Sequence, residues 1–259
     1  MGDPLTAGRI AFGLRAWDDA RALLAQADHG SPLGPDDLDM LGLAAHLAGA
    51  EGEGDEAWAR AHTGYRSRGD PLRAARCALW LGMGLAIRGE PARGAGWIAR
   101  ADRLIGDHAG DCAERGWLLI PAGHAALEGR DPQGAATAFA AAGECADRFG
   151  DTDLGTMARM GHGRGLINLG RPAAGASLLD EAMVAVIAGE VSPLVAGIVY
   201  CAVIAACHDA FDVARAREWT AALVDWCTGQ PQLVPFRGVC LVHRAEVLQM
   251  SGAWPDALV

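Results

Sequence analysis

Eight histidines, seven cysteines and several close pairs of carboxylates are the residues of this 259-residue chain whose types could do chemistry. The histidines, His29, His46, His62, His108, His124, His162, His208 and His243, are scattered, and no HExxH pair occurs. Cys207 and His208 are adjacent, so on a helix they point to different faces, which is poor metal geometry. A zinc site would have to be assembled from separate segments. Two glycine-rich stretches, Gly82-Met83-Gly84 and Gly161-His162-Gly163-Arg164-Gly165, are the candidates for holding phosphate. The dinucleotide fingerprint needs a strand before it and a helix after it. Both stretches instead fall inside predicted helices, where glycine permits close packing at a helix-stability cost of about 1 kcal/mol each. A GxxxxGK[ST] loop is impossible without lysine, and the chain has none. No Gly-x-Ser-x-Gly elbow occurs. The carboxylates Asp18-Asp19, Asp36-Asp37 and those from Glu51 to Glu56 fall at turns and helix starts, where they favour the helix dipole over acid–base chemistry. The expectation is no catalytic residue, no metal site and no cofactor.

Composition narrows the partners. All 22 basic residues are arginine, and Asn168 is the single asparagine, a bias that reads as codon usage of a high-GC genome. The competing reading is arginine selected for anion recognition. A net charge of −10 repels the nucleic-acid backbone, so direct DNA or RNA binding by this segment is not expected. Nor is there a basic patch for an anionic membrane. The longest uncharged apolar run, Leu194 to Cys207, has 14 residues, short of the roughly 20 a spanning helix needs. The odd number of cysteines, Cys77, Cys112, Cys145, Cys201, Cys207, Cys227 and Cys240, has wide spacing and no CxxC. That pattern suits buried thiols in a reducing cytoplasm. No basic-then-apolar leader is visible, so a cytoplasmic location is expected.

The elements that would position any site are repeated. Six pairs of a large apolar residue followed three positions later by alanine recur along the chain: Leu24/Ala27, Trp58/Ala61, Ile98/Ala101, Phe139/Ala142, Leu179/Ala182 and Trp219/Ala222. Successive steps are 34, 40, 41, 40 and 40 residues. A fixed period of this size means stacked units of one supersecondary structure. Each unit reads as helix, tight turn, helix. Glycine marks the turn and proline often follows, as in Gly89-Glu90-Pro91, Gly129-Arg130-Asp131-Pro132 and Gly170-Arg171-Pro172. First helices are predicted over 4–14, 36–48, 71–88, 112–128, 153–169, 193–208 and 234–251. Second helices are predicted over 17–28, 53–68, 91–106, 132–148, 172–188, 212–228 and from 254 onward. Asp70, Asp111, Asp151 and Ser192 stand where first helices begin, placed to cap them. The anchors, with Trp97, are read as packing between units.

The expected fold is all-α: a right-handed superhelical solenoid of about seven helical hairpins forming a single domain over residues 1–259. Trp254-Pro255-Asp256-Ala257-Leu258-Val259 opens a second helix and stops, so the chain is expected to be a fragment truncated in its last hairpin, or to end in a defective one.

Anchors and turns together resemble the tetratricopeptide repeat in a form lengthened to 40 residues. Leu81-Gly82 with Leu85, and Gly163 with Leu166, match that pattern, while His162 and Pro121-Ala122 depart from it. Longer strings are similar to the helical-repeat region of large actinobacterial regulators that carry a LuxR-type helix-turn-helix domain at the C-terminus. They are Arg88-Gly-Glu-Pro, Gly96-Trp97-Ile98-Ala99-Arg100-Ala101, Leu178-Leu179-Asp180-Glu181-Ala182-Met183, Tyr200-Cys201 with Ala206-Cys207, and Gly8-Arg9 with Trp17-Asp18-Asp19-Ala20. The resemblance implies a regulatory role for the parent protein and identifies no ligand.

In the repeat pattern the first helices line the inner wall of the superhelix. That places Arg76, Leu79 and Met83 inward, then Leu119, Met160, Arg164 and Ile167, then Tyr200 and Ile204, then Glu246 and Gln249. Of these, Arg76, Met83, Leu119, Met160, Arg164, Tyr200 and Ile204 are the candidate ligand-binding groove. An apolar wall with two arginines and a tyrosine suits an acidic peptide, a protein segment or a small amphipathic effector. The bland alternative is that Met83, Met160 and Ile204 only pack, and that Arg76 and Arg164 form surface ion pairs. A carboxylate clamp built from lysine and asparagine is not available to a chain lacking lysine. The expected role is a non-catalytic sensor or interaction module of a transcriptional regulator. A stand-alone scaffold, or less favourably an enzyme on a solenoid, are the other readings. A homodimer is compatible with the sequence.

Overall fold

Each hairpin turns on one residue in the left-handed backbone region, and those residues recur with the repeat: Arg15, Gly49, Gly89, Arg130, Gly170, Phe211 and Gly252, at φ between 55° and 84°. Glycine takes this conformation freely. Arg130, and not the neighbouring Gly129, makes the fourth turn, and Phe211 makes the sixth. The computed structural model describes residues 3–230, 232–250 and 252–255, and no strand occurs among them.

The helices pair as α1 (Pro4–Gly13) with α2 (Trp17–Gly30), α3 (Pro35–Leu47) with α4 (Glu51–Ser67), and α5 (Pro71–Ile87) with α6 (Pro91–Gly106). Then follow α7 (Ala113–Glu128) with α8 (Pro132–Phe149), α9 (Thr152–Asn168) with α10 (Pro172–Ile187), α11 (Pro193–Asp209) with α12 (Val213–Thr228), and α13 (Pro235–Met250). The second helix expected from Trp254 lies, from residue 256 on, outside the described residues. Starts are fixed by caps and prolines. Asp70 accepts from the Arg73 amide at 3.1 Å, Asp131 from Gly134 at 2.8 Å and Asp151 from Leu154 at 2.9 Å. Ser192 caps α11 through the Val195 amide at 3.4 Å. Asp111 instead accepts from Cys112, one residue short of α7.

Within hairpins the two helices touch at glycine. A Cβ on Gly82 would lie 2.9 Å from the Gly94 carbonyl, and one on Gly94 would lie 2.6 Å from the Gly82 carbonyl. Gly163 and Gly175 repeat this at 2.8 and 2.5 Å, and Gly54 meets the Gly42 carbonyl at 3.0 Å. The glycine-rich stretches are therefore contact points between helices. Most anchors are buried as expected: Leu24, Trp58, Phe139 and Leu179 are each 3% exposed or less.

Two compact units divide the chain. The first comprises residues 1–114 with the short segment 230–235, and the second comprises 115–229 with 236–259. In the first unit Leu233 is fully buried. The Gln232 side chain accepts from the Asp18 amide at 2.9 Å and donates to Asp19 at 2.9 Å, and the Val234 amide donates to the Leu47 carbonyl at 2.9 Å. In the second unit Phe139, Trp117, Ile120, Leu154 and Met160 are buried without exposure. No helix among the described residues is long and apolar enough to cross a membrane. The six cysteines described are all free thiols.

Candidate ligand-binding face

The first helices of each unit carry the residues expected to meet a ligand, and the two units use them differently. In the first unit the arginines of these helices are neutralised. Arg9 on α1 makes a two-point contact with Asp37 on α3, at 2.7 and 2.9 Å. Arg73 on α5 pairs with Asp36 on α3, which also accepts from Arg68 at 2.7 Å and from the Tyr65 hydroxyl at 3.2 Å. Arg76 pairs with Glu114 at 3.0 Å. These pairs run between neighbouring first helices, so the charge is spent on joining hairpins. The Arg68, Tyr65 and Arg73 contacts hold Asp36 below the usual carboxylate range. Asp39 behaves oppositely: burial pushes its carboxyl up, against the hydrogen bond it accepts from the Trp58 indole at 3.0 Å. Met83 is half-buried and Leu79 fully buried.

In the second unit Arg159 on α9 pairs with Glu181 at 3.4 Å, whereas Arg164 on the same helix is half-buried and, among the described residues, makes no ion pair or hydrogen bond from its guanidinium. Burial lowers its pKa, with Asp209 at the end of α11 and Glu128 at the end of α7 acting the other way at longer range. His124 on α7 feels the positive charge of Arg164. Arg164 thus lies between the first helices of its two neighbouring hairpins, as a repeat-lined face requires. Burial, with this charge beside it, brings His124 down to about 4, so the imidazole is neutral at physiological pH. Its ring packs edge-on against Phe139, centroids 5.3 Å apart.

Leu119 is half-buried on α7, and Ile167 on α9 lines a shallow cleft with Pro172, Ala176, Ala206 and Ala210. Three expected groove residues present no free surface. Met160 and Ile204 are fully buried and Tyr200 is 2% exposed. The Tyr200 ring is spent against Trp226 of α12, centroids 5.5 Å apart, and burial pushes its phenol up to about 12. Val203 and Ile204, both fully buried, stand where other hairpins carry the glycine of the helix crossing. These three side chains pack hairpins together in this structure, while Arg76, Met83, Leu119 and Arg164 reach the surface.

Nothing in the spacing announces one further cluster. His208 on α11 meets His243 and Glu246 on α13, all in the second unit. The i,i+3 spacing of His243 and Glu246 is the only local sign. Their meeting with His208 is a tertiary event.

No protein-family model matches the chain, and no curated protein shows significant sequence similarity to it. Among solved structures it is similar to the apo form of the quorum sensor NprR from B. thuringiensis, with a TM-score of 0.61 and 11% identity, over 96% of this chain and 71% of that one. A second structure, the TPR2AB-domain:pHSP90 complex of yeast Sti1, aligns over 99% of this chain and 97% of that one at 14% identity, with a TM-score of 0.33, too loose to carry weight. At these identities the likeness concerns fold alone. The fold is a tetratricopeptide-like helical repeat.

Proposed function

We propose that this chain is a non-catalytic binding module, the effector-sensing part of a transcriptional regulator of the LuxR type, and that the first-helix face of its second unit takes a ligand bearing a carboxylate. The observation carrying this reading is Arg164. A guanidinium partly withdrawn from water without a partner costs free energy, and an anionic ligand would offset that cost. A planar guanidinium suits a carboxylate, which it can engage at two points. An acidic peptide or the C-terminal carboxylate of a protein segment fits this chemistry. The repeat architecture supports it, because stacked first helices present a continuous wall to an extended ligand.

Fluorescence anisotropy with a panel of labelled peptides differing only in the position of one carboxylate, read against an all-amide peptide, tests the proposal. Carboxylate peptides should bind the chain, and Arg164→Gln should weaken them by roughly tenfold, the loss expected for a charge-assisted contact. Equal binding of amide and acid peptides, or indifference to Arg164→Gln, would remove the reading.

A further inference from the structure

Two imidazoles in the second unit converge on one carboxylate oxygen. His208 Nδ1 lies 3.1 Å from Glu246 Oε2, and His243 Nδ1 lies 3.1 Å from the same atom. The donor atoms of the three residues all lie within 4.8 Å of one another. The rings stand perpendicular with centroids 5.9 Å apart, so neither shields the other's Nδ1 by stacking. The imidazoles are well covered, with side-chain exposures of 15% and 11%, while Glu246 is 44% exposed. Both Nε2 atoms are buried and lack a hydrogen-bond partner. Both Nδ1 atoms thus compete for a single carboxylate oxygen, each ring able to give it one proton.

From this geometry we propose that His208, His243 and Glu246 bind a divalent transition-metal ion, Zn²⁺ being the probe of choice. Two nitrogens and one carboxylate oxygen are donors for zinc and its neighbours in the first row, whereas magnesium and calcium call for oxygen alone. Bonds of about 2.0–2.2 Å in a tetrahedral site put donor atoms roughly 3.4 Å apart, close to the two 3.1 Å separations found here. The exposed side of Glu246 leaves the fourth position to water. The ion would tie α13 to α11, where coordination free energy far exceeds the worth of the two hydrogen bonds it replaces.

The test uses the full chain, stripped with a chelator and dialysed, and titrated with Co²⁺ while visible absorption is recorded, followed by displacement with Zn²⁺. One ion per chain, with the intense visible bands of four-coordinate cobalt and without thiolate charge-transfer bands, is the expected result. Glu246→Ala, at a half-exposed position that leaves the helices intact, should weaken binding at least about tenfold, and His243→Ala should do the same in protein whose helicity is unchanged. His29→Gln, at an exposed position in the other unit, should bind as the parent does. Absence of saturable binding, a thiolate spectrum marking a cysteine site, or affinity unchanged in Glu246→Ala would overturn the assignment.

Discussion

Arg164 differs from the first-helix arginines of the first unit, and also from Arg159 on its own helix, which pairs with Glu181 at 3.4 Å. In the first unit Arg9, Arg73 and Arg76 each meet a carboxylate on a neighbouring element, and Arg76 holds Glu114, whose side chain is only 14% exposed. In the second unit Arg164 has been carried into a similar environment with no carboxylate in contact. Paired helices and left-handed turns build both, and a glycine–glycine crossing occurs in each, at Gly82/Gly94 and at Gly163/Gly175. One repeat architecture therefore carries first-helix arginines that join elements and one, Arg164, with no carboxylate in contact. A half-buried charge without a partner in otherwise consistent packing is where function is to be sought.

The largest test of the shared frame is steric. Gly94→Leu in the first unit and Gly175→Leu in the second drive a side chain into a backbone carbonyl 2.6 and 2.5 Å from the new Cβ. Each should cost about 3 kcal/mol or more in chemical denaturation, since backbone cannot move aside as a flexible side chain can. Gly96→Leu, where an added Cβ meets nothing within 4 Å, should be neutral or stabilising. Equal losses at all three positions would mean that helix crossing does not set the frame.

Next in size is a pH effect belonging to the second unit. His124 has its pKa depressed to about 4 by burial, below its unfolded value of about 6.5. Above 6.5 the ring is neutral in both states and its contribution is fully present. As the pH falls from 6.5 toward 4, the unfolded chain gains a proton that the folded chain refuses, and stability is lost. The loss is on the order of 3 kcal/mol over that window. His124→Phe should flatten the profile between pH 6.5 and 4, leaving the smaller slopes of His46 and His62, which burial shifts the same way. An unchanged profile would show that His124 is solvated.

A smaller effect separates the turns. Phe211 adopts φ 55° while 83% exposed, so Phe211→Gly removes strain and no packing. It should stabilise by about 1 kcal/mol, and Arg130→Gly, at φ 59°, by a similar amount. Gly89→Ala, in the first unit, should do the reverse. Thermal midpoints moving the other way would place these residues outside the left-handed region.

Much of this organisation was readable beforehand. The turn glycines and the anchors recur locally, and local punctuation is what a linear sequence records best, so every described helix begins and ends within two residues of its expected limits. At the fourth turn the sequence points to Gly129, glycine being the usual left-handed residue, whereas the hairpin takes Arg130 there. The face was legible only in part. Arg164 could be placed on an inner helix, but its lack of a partner, like the pairing of Arg76 with Glu114 some forty residues away, depends on which hairpins stack. Tyr200 and Ile204 were expected to line a groove, yet the sixth hairpin has Val203 and Ile204 where glycine would let its helices close, and bulk there turns inward. The histidine cluster joins residues more than thirty positions apart with no motif to announce it.

The contrast between the two faces is tested most directly without any ligand, by comparing Arg164→Met and Arg76→Met in equilibrium denaturation. Arg164→Met should raise stability by about 1 kcal/mol, because it replaces a half-buried, unpartnered charge by an apolar chain of similar length. Arg76→Met should lower stability by a similar amount, because it strands Glu114. A destabilised Arg164→Met, matching Arg76→Met in size, would show that Arg164 is already satisfied within the fold and would contradict the account.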